Sequence, residues 1–143
     1  MAKEIKEIKE IQTNDAPAPV GPYSQAVLAG STLYCSGSIA LDPITGEFVG
    51  EGNVQEEARQ CLKNMDAILR EAGASAANVV RCKFSAPCAY VLCSGIALLN
   101  DLKVNEIYSE YFKGNAVAPS RSCVQAAALP KGALVEIDCI AEL

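Results

Sequence analysis

A chain of 143 residues with half its residues apolar and a fifth charged fits a single domain with its own core, and is neither fibrous nor disordered in composition. The net charge of −5, with no basic stripe interleaved with aromatics, argues against nucleic acid as the partner. The absence of histidine excludes Ser-His or Cys-His nucleophilic pairs and every imidazole-bound zinc site, leaving carboxylates, thiols, tyrosine, lysine and water for acid–base work.

The chain opens on three KEI triplets between Lys3 and Ile11, read as a low-complexity start of which part forms a first strand and the remainder, within residues 1–10, frays. It lacks the apolar core of a secretory signal, and no apolar run approaches the roughly 18 residues that span a bilayer. A cytoplasmic protein with no membrane association is the expectation. "APAPVGPYSQAV", Ala16 to Val27, then stiffens the backbone with Pro17, Pro19 and Pro22. Three prolines exclude an interior strand or helix, so this is an extended loop that delivers Tyr23, Ser24 and Gln25 to a fixed place.

From Ala26 to Ala40 two apolar runs flank "AGST", the pattern of a hairpin. "LDPITGEFVG" follows, with Asp-Pro and Thr-Gly turn signals suited to a surface loop or small ribbon. The clearest helix is "NVQEEARQCLKNMDAILREAG". Val54, Ala58, Cys61, Leu62, Met65, Ile68, Leu69 and Ala72 recur at helical spacing, Asn53 and Glu56 propose a capping box, and Gly73 a C-terminal stop. Glu56 and Glu57 read as a solvated face whose charge suits the helix N-terminus. "VVRCKF" and part of "CAYVLCSGIALL" look like buried strand. A second helix is expected over Asp101 to Lys113, with Val104, Ile107, Tyr108, Tyr111 and Phe112 on one face and Gly114 at its end. "SRSCVQAAAL" and "LVEIDCIAEL", joined by "PKGA", read as a closing hairpin. The whole is an α+β domain with two helices on one face of a largely antiparallel sheet.

Seven cysteines (Cys35, Cys61, Cys82, Cys88, Cys93, Cys123 and Cys139) without a CxxC pair read as reduced core residues. The spacing of Cys82, Cys88 and Cys93 matches no common metal site. In the tightest register of the closing hairpin, Arg121, Cys123 and Glu136 share one face of the sheet. Such a face offers a guanidinium fork for a carboxylate and a second carboxylate for a water. A structural ion pair explains the same pattern.

Several stretches resemble one known family. "APAPVGPYSQAV", "LYCSGSIALDPITGEFVG", "EEARQCLKNMDAILREAGAS", "VNEIYSEYF" and above all "APSRSCVQAAALPKGALVEIDCIA" match, in order, the motifs of the RidA/YjgF (Rid) family, also called L-PSP endoribonucleases. The resemblance implies a chorismate-mutase-like subunit, a single Rid-type domain over 1–143, and a homotrimer with clefts between neighbouring subunits. It implies hydrolysis of reactive 2-imino acids, such as 2-iminobutanoate and 2-iminopropanoate, to 2-oxo acids and ammonia, with no metal or cofactor. Arg121 aligns with the arginine that grips the substrate carboxylate, and Glu136 and Cys123 with positions bordering the attacking water. Tyr23, Ser36, Gly37 and Asn105 align with positions lining the cleft, some contributed by the adjacent subunit. A ribonuclease or translation inhibitor, and a non-catalytic trimer that binds small carboxylates, are the alternatives. One stretch departs from the family: residues 82–99, "CKFSAPCAYVLCSGIALL", are longer, more apolar and richer in cysteine. They are read as an extended hairpin, a surface excursion or an extra subunit contact.

Overall fold

A computed structural model describes residues 7–87 and 96–143. Six strands form one sheet: β1 (Ile8–Ile11), β2 (Ala26–Ala29), β3 (Thr32–Ser38), β4 (Val79–Pro87), β5 (Ser120–Ala126) and β6 (Glu136–Glu142). The helices are α1 (Val54–Glu71), between β3 and β4, and α2 (Ile96–Tyr111), between β4 and β5. The strand order is β1-β2-β3-β6-β4-β5, antiparallel throughout except for the parallel β4–β5 pair bridged by α2. A parallel pair needs such a crossover, and a helix is its usual form. The α+β class with helices on one face holds, and among the described residues no helix is long and apolar enough to cross a membrane.

The β2–β3 hairpin forms as the pattern requires, with Ala29 opposite Thr32 and Gly30 taking φ 67 in the two-residue turn. Leu33 and Cys35 point to the helices and are buried, whereas Tyr34 faces away and is half exposed. "LDPITGEFVG" is a small ribbon closed by a Leu41–Phe48 bridge. The Asp42 carboxylate, accepting from the backbone N–H groups of Ile44 and Thr45, is held below its usual range by them.

Helix α1 starts and stops on the expected residues. Asn53 Oδ1 accepts from the N–H groups of Gln55 and Glu56. At the other end, Gly73 at φ 79 allows Gly73 N–H to reach Arg70 O and Ala74 N–H to reach Leu69 O, a Schellman ending. The reciprocal half of the capping box does not form: Glu56 instead pairs with Arg59 at 2.6 Å. Nor are Glu56 and Glu57 both solvated. Glu57 is 1% exposed, because the first turn of α1 packs against two backbone N–H groups that need an acceptor.

Helix α2 begins at Ile96, earlier than the expected Asp101, so the end of "CAYVLCSGIALL" belongs to the helix. The remainder of the unusual apolar stretch, residues 88–95 with Cys88 and Cys93, lies outside the described residues. Ile107, Tyr108 and Phe112 are buried as the helical face requires.

The largest correction concerns the last two strands. They are not a hairpin: β4 lies between them, pairing antiparallel with β6 and parallel with β5. Composition explains the order. β5 carries Ser120, Arg121, Ser122 and Gln125 and is mostly exposed, as an edge strand tolerates, whereas β6 buries Ile137, Cys139 and Ala141 at the sheet centre. Between the helices and the sheet lies the core of Leu33, Cys61, Met65, Leu69, Cys82, Ile137 and Cys139. Four of the five described cysteines, Cys35, Cys61, Cys82 and Cys139, are buried. Burial pushes the Cys82 thiol up to about 12.

Candidate functional site

The pairing decides which predicted residues meet. Arg121 lies opposite Cys82, which lies opposite Cys139; Cys123 lies opposite Phe84, which lies opposite Ile137. Glu136 lies opposite Ser85, which lies opposite Val124. Side chains alternate along a strand, so Arg121 and Cys123 are on the helix-bearing face and Glu136 on the other. The shared face expected from a closing hairpin is therefore overturned, since a strand between the two changes every partner. Within the chain the predicted residues form two groups.

The first group lines a cleft of about 70 Å³ between the proline loop and the β3–β6 seam. Tyr23, Ser36, Gly37 and Glu136 border it, with Ile39 and Pro130 among the apolar walls. Gly37 is there for space: a Cβ at this position would lie 2.6 Å from Glu136 Cδ and Oε1, so the carboxylate rests directly on the β3 backbone. Partial burial and the charge of Asp138 raise the Glu136 pKa above the ordinary carboxylate value, with Lys83 opposing them. Lys83 Nζ itself pairs with Asp138 at 2.7 Å.

Polar side chains hold these walls. The buried Gln25 amide donates to the carbonyls of Thr13, Ala16 and Pro17 and accepts from Thr13 N–H, fastening the proline loop. Ser36 Oγ donates to Ser24 O at 2.7 Å, and Val20 N–H donates to Tyr23 Oη at 3.2 Å. On the opposite wall, Glu57 accepts from Gly52 N–H and from Leu134 N–H, two residues before Glu136. Asn64 donates to the carbonyls of Ile39 and Leu41 at 3.2 and 2.9 Å. Glu57, Gln60 and Asn64 recur at the three- and four-residue spacing of the apolar face of α1, and that periodicity is the signal that marks them as inward.

The second group sits at the outer edge of the sheet. The exposed Arg121 side chain crosses toward α2, where its Nη1 donates to Asn105 Oδ1. Its guanidinium carbon stands 5.1 Å from the Tyr108 ring centre and 5.6 Å from that of Phe84. Cys123 is exposed two residues further along the strand, on the same face. Tyr108 and Phe84 read from sequence only as core residues; their second contact depends on β4 and β5 being neighbours. The described residues hold no cluster of three or more His, Cys, Asp or Glu able to bind a metal.

Comparison with other proteins agrees with this architecture. The family described as Endoribonuclease L-PSP matches residues 13–143. A RutC family protein of Synechocystis is 49% identical over 95% of this chain and 97% of its own. The human 2-iminobutanoate/2-iminopropanoate deaminase is 48% identical over 92% of this chain and 87% of its own. Among solved structures, the Rid family protein YyfA of Yersinia pestis superposes with a TM-score of 0.85 at 41% identity, covering 96% of this chain and all of that one. The E. coli TdcF structure with bound serine superposes with a TM-score of 0.82 at 37% identity, covering 94% and 98%. On matches of this extent, in sequence and in fold, the chain belongs to the Rid family of L-PSP endoribonuclease-like proteins.

Proposed function

We propose that this protein is an imine deaminase, hydrolysing small 2-imino acids such as 2-iminobutanoate and 2-iminopropanoate to 2-oxo acids and ammonia. The observation that carries the reading is the near-half identity, over almost the whole chain, to proteins named 2-iminobutanoate/2-iminopropanoate deaminase. The site chemistry is consistent with it. Arg121 presents a planar fork suited to the substrate carboxylate. A relative crystallised with serine, itself an α-carboxylate, supports that assignment.

In the reaction, a water oxygen adds to the C=N carbon and gives up a proton. The tetrahedral carbinolamine formed from the protonated imine then expels ammonia as the C=O bond forms, its hydroxyl proton leaving to solvent. Glu136 takes the proton from water and returns it to the departing nitrogen. Its raised pKa makes the protonated form a usable acid nearer neutrality. Cys123 borders the water, and Tyr23, Ser36 and Gly37 line the cleft around it. An iminium reacts with water unaided, so holding its carboxylate and one water in register supplies much of the acceleration.

Arg121 and Glu136 lie on opposite faces of one sheet, so a single subunit does not join them. The reading therefore includes assembly: in a homotrimer, the Arg121 group of one subunit meets the Glu136 cleft of the next. The open face of the sheet, with Tyr34 and Val124 exposed, supplies surface for such packing. The family's description as an endoribonuclease favours a second reading, cleavage of RNA. The net charge of −5 and the lack of histidine weigh against it.

The test adds purified protein to a threonine dehydratase reaction and follows 2-oxobutanoate while semicarbazide competes for the imine. Acceleration that disappears in Arg121→Ala and Glu136→Gln is expected. No acceleration by wild type sinks the reading. RNA cleavage that survives further purification and vanishes with Glu136→Gln supports the alternative.

A further inference from the structure

The guanidinium of Arg121 is more constrained than its place on an exposed edge strand requires. An arginine there ordinarily samples many rotamers, and a flexible fork must be ordered each time a ligand binds. Here three side chains from two elements converge on it. Asn105 Oδ1 accepts from Nη1, and the rings of Tyr108 and Phe84 lie 5.1 and 5.6 Å from the guanidinium carbon, both within the range of cation–π attraction. Asn105 and Tyr108 are three residues apart on α2 and so share a face. Phe84 comes from β4, diagonally beside the arginine across the parallel pair.

The rings are themselves fixed. Phe84 and Tyr108 meet edge to face with centroids 5.3 Å apart, and Tyr108 meets Phe112 at 4.6 Å. Tyr108 is 8% exposed, yet its hydroxyl makes no regular hydrogen bond to the described residues, the Cys82 thiol being its weak polar neighbour. The contact with Arg121 thus uses the face of the ring and not the phenol oxygen.

We infer that Asn105, Tyr108 and Phe84 are positioning residues that preset the Arg121 guanidinium for a ligand carboxylate, with Asn105 holding the arginine rather than the ligand. The inference rests on the reading of Arg121 as the carboxylate-binding residue. One hydrogen of Nη1 is committed to Asn105, which leaves Nε–H and both hydrogens of Nη2 for a two-point contact with a carboxylate. Lysine cannot replace arginine in this cradle, because an ammonium neither stacks as a plane nor bonds in two directions at fixed spacing. The cradle also makes the register of β4 and β5 a determinant of ligand affinity: it is this pairing that brings Phe84 under the arginine.

Interactions made equally in ground and transition states appear in KM alone. The experiment measures KM and kcat for imine hydrolysis, and Kd for the non-reacting probe 2-oxobutanoate by calorimetry. The variants are Arg121→Ala, Asn105→Ala, Tyr108→Leu and Tyr108→Phe. Expected are loss of probe binding in Arg121→Ala and about a tenfold rise in KM and Kd in Asn105→Ala and Tyr108→Leu, with kcat within about twofold. Tyr108→Phe, which keeps the ring, restores both constants to within about twofold of wild type. Should Tyr108→Leu fail to fold, Asn105→Ala decides, since its bond to Arg121 lies at the surface. If Arg121→Ala still binds the probe, the underlying reading of Arg121 is wrong. If Arg121→Ala loses the probe while Asn105→Ala and Tyr108→Leu keep wild-type constants, the cradle is wrong. A fall in kcat at constant KM in Asn105→Ala also overturns it, placing the amide at the reacting atoms.

Discussion

In the cleft around Glu136 the backbone is tied down from behind by buried amides and a buried carboxylate, whereas Arg121 rests on two aromatic faces and one amide at the protein surface. The two regions use different physics because they face different demands. A cleft built on main chain must satisfy every buried donor and acceptor, and an unpaired one is costly. A guanidinium cannot be buried unpaired, but it can be stacked while its N–H groups stay open to a ligand. The cleft region therefore spends stability on shape, and the arginine region limits motion without sealing the charge away.

This contrast predicts where damage appears. Glu57→Ala orphans the buried N–H of Leu134 and removes an acceptor from Gly52. It should cost about 3 kcal/mol, seen as a fall of about 6–12 °C in thermal midpoint. A midpoint within 1 °C or so of wild type would show that the cleft wall does not need this tie. Arg121→Ala should behave in the opposite way, with kcat/KM falling about a hundredfold and the midpoint scarcely moving, because the side chain is exposed. An equal fall in stability would erase the distinction between the two regions.

Gly37→Ala is an intermediate case. Its methyl would meet the Glu136 carboxylate at 2.6 Å, so the carboxylate must move. A roughly tenfold lower kcat with nearly unchanged KM is expected from steady-state kinetics. A rise in KM alone would instead assign Glu136 to binding.

The smallest effect is on pH dependence. Glu136 has its folded pKa raised above its ordinary value, so the folded state holds the proton more tightly than the unfolded chain. Stability then declines as pH rises from the ordinary carboxylate value through the raised one, and Glu136→Gln should flatten that decline in denaturation curves. Over the same window the carboxylate proposed to deprotonate water is lost as pH falls. The acid limb of kcat should accordingly lie above the ordinary glutamate range, and a limb at or below it would remove Glu136 as the base.

Much of this protein was legible residue by residue. The β2–β3 hairpin, the start of α1 at Asn53 and its end at Gly73 depend on local backbone chemistry, and the apolar period of α2 survives in Ile107, Tyr108 and Phe112. The family resemblance carried by the stretch from Ala118 to Ala141 nominated Arg121 and Glu136 as site residues without any structure. Glu57 was misread as solvated because two adjacent glutamates near a helix start usually are, and only its spacing to Gln60 and Asn64 marked it as inward.

Strand order was not legible locally, because a sheet is joined by contacts between residues far apart in sequence. The stretch "LPKGA" permits a hairpin, and nothing within it reveals that β4 will take the place beside β6. That insertion puts Arg121 and Glu136 on opposite faces, through the strict alternation of side chains along a strand. The same pairing sets Phe84 beneath the guanidinium and Ser85 in line with Glu136. The identities of the chemical groups, and the helices and turns that carry them, follow from local sequence. Their division into two groups follows from long-range pairing, which buries one face of β6 within the sheet and leaves the strand bearing the arginine at the edge.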